Sequence, residues 1–182
     1  MTAKIKASSD GLKVTIGNAA EAALEINQTT KLITGINGYN LNVPAPSPGP
    51  AFSAKRATSD QSVTSGVFTK VALNSELFDT NNAFNTTNNR FTPQVAGYYQ
   101  VNGSLCGRGT TVSAIEVAIH KNGAWLISGN INGGEQIPTV STLVYMNGTT
   151  DYLELWGLIA ATASPRFVID YTQMSAFLAR LP

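Results

Sequence analysis

From residue 51 onward the apolar positions recur every second residue. Ile115, Val117 and Ile119 share one face of their segment, and Leu153, Leu155 and Gly157 share one face of theirs. That is the two-residue period of a strand with one buried side. The pattern predicts strands over 51–55, 67–73, 84–91, 98–106, 113–121, 125–128, 139–146, 152–159 and 167–179. Turn signals separate several of them: Lys121-Asn122-Gly123, Asn132-Gly133-Gly134 and Asn147-Gly148-Thr149. Asn-Gly between alternating segments is a strong short-range hairpin cue, because both turn positions require positive φ. Many short strands at this spacing predict an all-β protein, a two-sheet jelly-roll sandwich. The sequence shows no internal repeat of the kind that builds solenoids or propellers.

Four prolines at 44, 46, 48 and 50 interrupt the pattern. Proline lacks the N–H that sheets and helices require, so 44–50 reads as an extended linker. It divides an N-terminal segment, 1–43, from a head domain, 51–182. Within the N-terminal segment Leu12, Val14 and Ile16 alternate as a strand, and Leu24-Glu25-Ile26 and Leu32-Ile33 to Ile36 are further short apolar stretches. Asn18 with Glu21 three residues on offers a helix cap as the alternative for that stretch. So few large apolar groups cannot bury a core alone, so this β-prone segment is expected to anchor on a partner surface.

Composition narrows the function classes. Twelve Lys+Arg against eleven Asp+Glu leave a net charge of +1, and charged residues are 13% of the chain, against roughly 25% in ordinary soluble domains. Asn, Ser, Thr and Gly fill the gap, in runs such as Asp79-Thr80-Asn81-Asn82. With Lys55-Arg56 as the sole basic pair, no footprint for nucleic acid exists. No apolar run is long enough for a membrane span or for a signal peptide at residues 1–6, so synthesis in a cytoplasm without export is expected. Cys106 is the single cysteine, which excludes an intrachain disulfide and predicts a small buried hydrophobe.

Catalytic chemistry has little to work with. His120 is the only histidine, so a Ser-His-Asp relay or an ordinary zinc site has no support. Glu116, Asp151, Glu154 and Asp170 could meet in a folded sheet to hydrolyse sugars or hold calcium, but their spacing does not indicate it. The expectation is a non-enzyme with no cofactor and no metal. Trp125 and Trp156 are read as core or interface in preference to sugar platforms. The stretches 107–112, 129–137 and 160–166 are small and polar and read as recognition loops, with Arg108, Thr110, Asn130, Asn132 and Arg166 as candidate host-contact residues. The sequons at Asn27, Asn85, Asn102 and Asn147 are read as accidents of an Asn/Thr-rich chain.

The order of motifs carries a family resemblance. Ala51-Phe52-Ser53-Ala54 opens the head, followed by Phe68-Thr69-Lys70-Val71, Asn74 and Phe84. Arg90-Phe91-Thr92-Pro93 with Gly97-Tyr98-Tyr99, Ile119-His120-Lys121-Asn122-Gly123, Ser141-Thr142-Leu143-Val144, Tyr152-Leu153-Glu154-Leu155 and Ser175-Ala176-Phe177-Leu178 complete it. Over about 130 residues the chain resembles the globular heads of complement-type and tumour-necrosis-factor-type jelly rolls. It departs from them in the stretched Gly148-Thr149-Thr150-Asp151, in Ala176 before Phe177, and in having no Gly-x-y stalk ahead of the head. The resemblance implies a homotrimer in which one sheet of each head faces the threefold axis, with Tyr99, Val101, Tyr145 and Tyr171 as candidates for that seam.

Ser8-Ser9-Asp10-Gly11-Leu12, Val14-Thr15-Ile16-Gly17 and Lys31-Leu32-Ile33-Thr34-Gly35 resemble the leaders of small tailed-bacteriophage virion proteins. Together the two resemblances imply a virion structural protein, a trimeric head fibre or capsid decoration. Residues 1–43 would join the major capsid or another virion protein, and the exposed knob would meet host-cell surface glycans. A short tail fibre, or a bacterial adhesive protein with the same head, is the alternative.

Overall fold

The computed structural model describes residues 4–8, 11–15, 24–27, 32–35, 49–134 and 136–182. The chain divides into two compact units, Met1–Ser47 and Pro48–Pro182.

The first unit is a four-stranded antiparallel meander of β1 (Lys4–Ser8), β2 (Gly11–Thr15), β3 (Leu24–Asn27) and β4 (Leu32–Gly35). Ile5 pairs with Val14, Leu12 with Ile26, and Ile26 with Ile33, so the apolar positions seen in the sequence lie in register across the meander. The alternative helix at Asn18–Glu21 falls outside the described residues.

The second unit is a two-sheet sandwich. Its strands are β5 (Ala51–Lys55), β6 (Gln61–Ser62), β7 (Thr69–Lys70), β8 (Ser75–Asp79), β9 (Phe84–Asn85), β10 (Arg90–Phe91), β11 (Gly97–Ser104) and β12 (Gly107–Lys121). They continue as β13 (Ala124–Asn132), β14 (Thr139–Met146), β15 (Leu153–Phe167) and β16 (Gln173–Arg180). One sheet has five strands in the order β14-β11-β16-β5-β8. The other has seven, β13-β12-β15-β10-β9, with β6 and β7 both paired to β15.

Alternation decides what lies between the sheets. On β11 Tyr99 and Val101 point inward while Tyr98 and Asn102 point out. The core they join contains Phe52, Phe91, Leu105, Ile115, Val117, Ile119, Leu153, Leu155, Ile159 and Phe167, all buried. Phe52 stacks on Phe91 at 4.4 Å and on Phe84 at 4.9 Å, and Phe91 meets Tyr99 edge-on at 5.7 Å. Gly157 shares this inner face because nothing larger fits there. A Cβ on it would lie 2.4 Å from Leu105 Cδ2 and 3.0 Å from Phe167 Cζ.

The β12–β13 turn follows the Asn-Gly rule, with Asn122 at φ 54° and Gly123 at φ 80°. Its side chains tie it to the β14–β15 connection through Asp151. That carboxylate accepts from Asn122 Nδ2 at 2.8 Å and from the Asn147 amide at 3.0 Å, and pairs with Lys121 Nζ at 2.8 Å. Asn147 Oδ1 in turn accepts from the amides of Thr149, Thr150 and Asp151. The stretched Gly-Thr-Thr-Asp sequence thus builds a closed turn.

Three expectations are corrected. The segments 107–112 and 160–166 are not loops but the paired ends of the fifteen-residue strands β12 and β15, with Arg108 opposite Arg166 and Thr110 opposite Ala163. Register shifts at Arg108/Thr110 and Val112/Ala114, with Thr111 at φ 47° and Ser164 at φ 50°, absorb the small polar residues that read as turns. Most of the third stretch, from Gly129 to Asn132, likewise belongs to a strand, β13. The expected strand over 167–179 is broken: β15 ends at Phe167, Asp170 takes φ 67°, and β16 begins at Gln173.

Candidate functional site: the outer face of the five-stranded sheet

The outward residues of β14, β11, β16 and β5 fall into rows across this sheet. Tyr145 lies opposite Tyr98, and Leu143 lies opposite Gln100, whose other neighbour is Phe177. The next row runs Ser141, Asn102, Ser175, Ser53 and Phe78. One end of the face is therefore apolar and aromatic, and the middle is a ladder of small polar groups. Leu143 is 57% exposed, Phe177 48%, Tyr145 43% and Tyr98 40%. Tyr98 and Tyr145 support each other with ring centroids 5.4 Å apart.

The polar groups are tied to one another. Gln100 Nε2 donates to Ser141 Oγ at 2.9 Å and to the Thr142 carbonyl at 3.2 Å, and Ser141 Oγ donates to Asn102 Oδ1 at 2.9 Å. Ser104 Oγ donates to the Tyr171 carbonyl at 3.0 Å. Two shallow hollows mark the surface. One of about 300 Å³ is lined by Asn102, Ser104, Thr139, Ser141, Gln173 and Ser175. The other, about 320 Å³, is lined by Tyr98, Leu143, Arg180 and Pro182.

Charge avoids this face. The only charged residues on its five strands are Lys55, Glu76, Asp79 and Arg180, at strand ends or on the edge strand β8. Lys55 is tied to Asp170 at 2.8 Å. The other sheet holds Lys70, Arg90, Arg108, Glu116, His120, Lys121, Glu154 and Arg166. There Glu154 is 2% exposed and accepts from Arg90 Nε at 2.8 Å, Trp156 Nε1 at 3.0 Å and Lys70 Nζ at 3.1 Å. Burial pushes its carboxyl up, but the Arg90, Trp156 and Lys70 hydrogen bonds outweigh that and hold it below the usual carboxylate range. Asp151 is governed the same way, burial against hydrogen bonds from Lys121, Asn122 and the Asn147 amide, and also ends below its usual range. Arg90 in turn lies 4.0 Å over the Tyr152 ring.

Of the seam candidates, Tyr145 lies on this outer face, and Tyr171, 60% exposed, sits in the bend before β16. Tyr99 and Val101 are corrected: both are fully buried inside the sandwich. Tyr99 donates its hydroxyl to the Val95 carbonyl at 2.8 Å, and burial pushes the phenol up to about 12. Their outward neighbours on the strand are Tyr98 and Gln100. The signal was present, since the same alternation that placed the strand separates Tyr98 from Tyr99. What it could not fix was which of the two phases faced in.

The host-contact candidates do not gather into one loop. Arg108 is half-buried, Thr110 is exposed with its carbonyl accepting from Thr162 Oγ1, and Arg166 pairs with Asp60 at 3.0 Å. Asn130 and Asn132 lie in β13, with their side chains outside the described residues. Cys106 is buried. Of the four carboxylates weighed as a possible acid pair or calcium site, three have separate commitments: Asp151 to Lys121, Glu154 to Arg90 and Lys70, Asp170 to Lys55. Among the described residues no three His, Cys, Asp or Glu side chains are grouped to hold a metal ion.

Comparison with known proteins places the fold. No protein-family model and no curated protein sequence matches the chain. Solved structures do. The globular domain of a zebrafish complement 1qA protein aligns over 73% of this chain and 99% of its own, with 17% identity and a TM-score of 0.57. The Eiger TNF of S. frugiperda aligns over 74% and 95%, with 10% identity and a TM-score of 0.51. Murine APRIL aligns over 70% and 97%, with 9% identity and a TM-score of 0.54. The second unit has the complement/TNF-type jelly-roll fold, as the motif order implied.

Proposed function

We propose that this chain is a homotrimeric structural protein whose heads associate through the outer face of the five-stranded sheet. The observation that carries the reading is the segregation of charge: an aromatic and aliphatic strip flanked by neutral polar groups on one sheet, ionic clusters on the other. Interface cores are depleted of charge and enriched in aromatics, and a contiguous exposed apolar patch marks a contact surface. The likeness to complement and TNF-type heads favours threefold packing over a twofold dimer.

On this reading the chain is a head fibre or capsid decoration of a bacteriophage virion. Support comes from the low charge, the Asn/Thr/Ser/Gly-rich surface and a short β-meander ahead of the proline linker. The meander joins the virion shell, and the heads present their charged sheets to the outside. Three weak contacts to host glycans on one rigid trimer gain ~10²–10⁴ over a single site when the target spacing matches.

The test of the particle assignment is incorporation. Tagged full-length chain is expected on purified virions by immuno-electron microscopy, and a chain lacking residues 1–43 is expected to remain trimeric in solution and absent from particles. Incorporation of the truncated chain contradicts the anchor assignment.

A further inference from the structure

The outer face of the seven-stranded sheet carries a second, small apolar layer, separate from the sandwich core. His120 stacks on Trp156 with centroids 4.7 Å apart and planes 12° from parallel, and lies 6.3 Å from Trp125. Phe68 closes the layer, edge-on to Trp125 at 5.1 Å. Beneath them Ala118, which alternation with Val117 and Ile119 turns outward, is fully buried.

The imidazole is oddly placed for a polar ring. Both its nitrogens are buried and neither reaches full hydrogen-bonding geometry, although the Gly123 backbone lies near enough to favour the charged ring. A neutral ring needs one donor and one acceptor satisfied, and a charged ring needs two acceptors. Of the charged groups on the strands around it, Glu154 on β15, Lys70 on β7 and Arg90 on β10 lie toward its end of the sheet, with Glu116 four residues back along β12 and Arg166 at the far end of β15; β13 contributes Trp125 and no titratable side chain. Lys121, next along β12, is turned to Asp151 and to the Tyr145 carbonyl. Glu154 lies directly across from His120 in the strand register, but its oxygens are held by Lys70, Arg90 and Trp156.

We propose that His120 is an acid-operated latch for this aromatic layer. Neutral, it holds the Trp125–Phe68 wall closed over the sheet; protonated, it draws in water and that wall swings out while the sandwich stays folded. The two walls differ in how firmly they are held. Trp156 belongs to the interior strand β15 and donates its indole N–H to Glu154. Trp125 is 51% exposed on the edge strand β13, at the register shift opposite Ile119/His120. Stacking on Trp156 favours a cation but offers nothing to the two N–H groups, which lie in the ring plane. Burial holds the imidazole below its ordinary value, against the opposing pull of Glu154 and the nearby Gly123 backbone. The opening is therefore expected only below pH 6.5, and the window to be searched runs downward from there.

The chain reports on this layer without labels, because its two tryptophans and one histidine all lie in it. Full-length protein is titrated through that window, following tryptophan emission, acrylamide quenching, the histidine Hε1 resonance and far-ultraviolet circular dichroism. A red shift and greater quenching are expected at the same midpoint as the Hε1 titration, with the sheet signal unchanged. His120→Phe keeps a packed ring that cannot titrate, and its emission is expected to stay constant over the window. Constant wild-type emission while Hε1 titrates overturns the proposal, as does the same shift in His120→Phe or an Hε1 midpoint at or above 6.5. Should the variant fail to fold, the wild-type midpoints decide alone: coincidence supports the latch and separation refutes it.

Discussion

Asp151→Ala removes the acceptor that clamps the β12–β13 turn to the β14–β15 connection. Three donors lose their partner, and they are not equivalent. Lys121 is 25% exposed and also donates to the Tyr145 carbonyl, so its loss costs at most about 1 kcal/mol. The Asn147 amide is fixed by the turn and cannot seek another acceptor, which costs about 1–3 kcal/mol. Asn122 Nδ2 adds about 1 kcal/mol. The sum is about 2–5 kcal/mol, a range that overlaps the cost of breaking a mostly buried ionic contact. For a domain of this size that corresponds to a fall in Tm of about 6–20 °C. Asp151→Asn keeps the shape and one acceptor and is expected to lose about half as much. Urea denaturation followed by circular dichroism measures both. Protein concentration must be fixed, or a Leu143→Glu background used, because association adds to apparent stability. A loss below about 1 kcal/mol for Asp151→Ala would refute the reasoning, since it means water replaces the carboxylate freely.

Neighbouring tyrosines on β11 are expected to part company. Tyr98→Glu weakens association and changes Tm little once the heads are already separated in a Leu143→Glu background, whereas Tyr99→Phe costs about 1 kcal/mol through the lost hydrogen bond to the Val95 carbonyl and leaves the oligomer intact; sedimentation velocity and thermal melts separate the two. Gly157→Ala forces a methyl against Leu105 and Phe167 and is expected to cost about 1–3 kcal/mol by overpacking, read by the same denaturation assay. Asp151 and Glu154 both titrate below their ordinary values in the folded chain, so the unfolded chain binds more protons as acid is added. Their stabilisation is present in full above pH 4.5 and is lost progressively as pH falls through the folded pKa values. His120, also held low, adds a gentler decline beginning near pH 6.5. Thermal melts across pH are expected to be level above neutrality and steepest below 4.5; a melt insensitive to acid would contradict both clusters.

The period-two pattern placed β5 and β14 at their observed bounds, located the centres of β11, β12 and β13, and found only the first half of β15. It failed where long-range pairing overrode local composition. Gly107-Arg108-Gly109-Thr110 reads as a turn, yet across from 163–167 it completes a fifteen-residue strand. Strand β8, Ser-Glu-Leu-Phe-Asp, has no alternation and is held as an edge by pairing with β5. The same logic explains which residues line the outer face of the five-stranded sheet. Periodicity grouped Tyr99 with Val101 correctly, but two faces of one strand look alike until the opposing sheet is placed. Once Phe91 occupies the space beside Tyr99, the outward row Tyr98, Leu143, Tyr145 and Phe177 follows. The Asp151 clamp and the aromatic layer around His120 join residues far apart in sequence, so no local signal announced them.

Sedimentation velocity of the full-length chain, wild type beside Leu143→Glu, tests the association face most directly. Leu143 is 57% exposed, so the added charge leaves the head folded and falls in the middle of the proposed contact. The account requires a wild-type trimer at micromolar concentration and a folded monomer for the variant. A monomeric wild type, or a trimer that Leu143→Glu leaves intact, contradicts it.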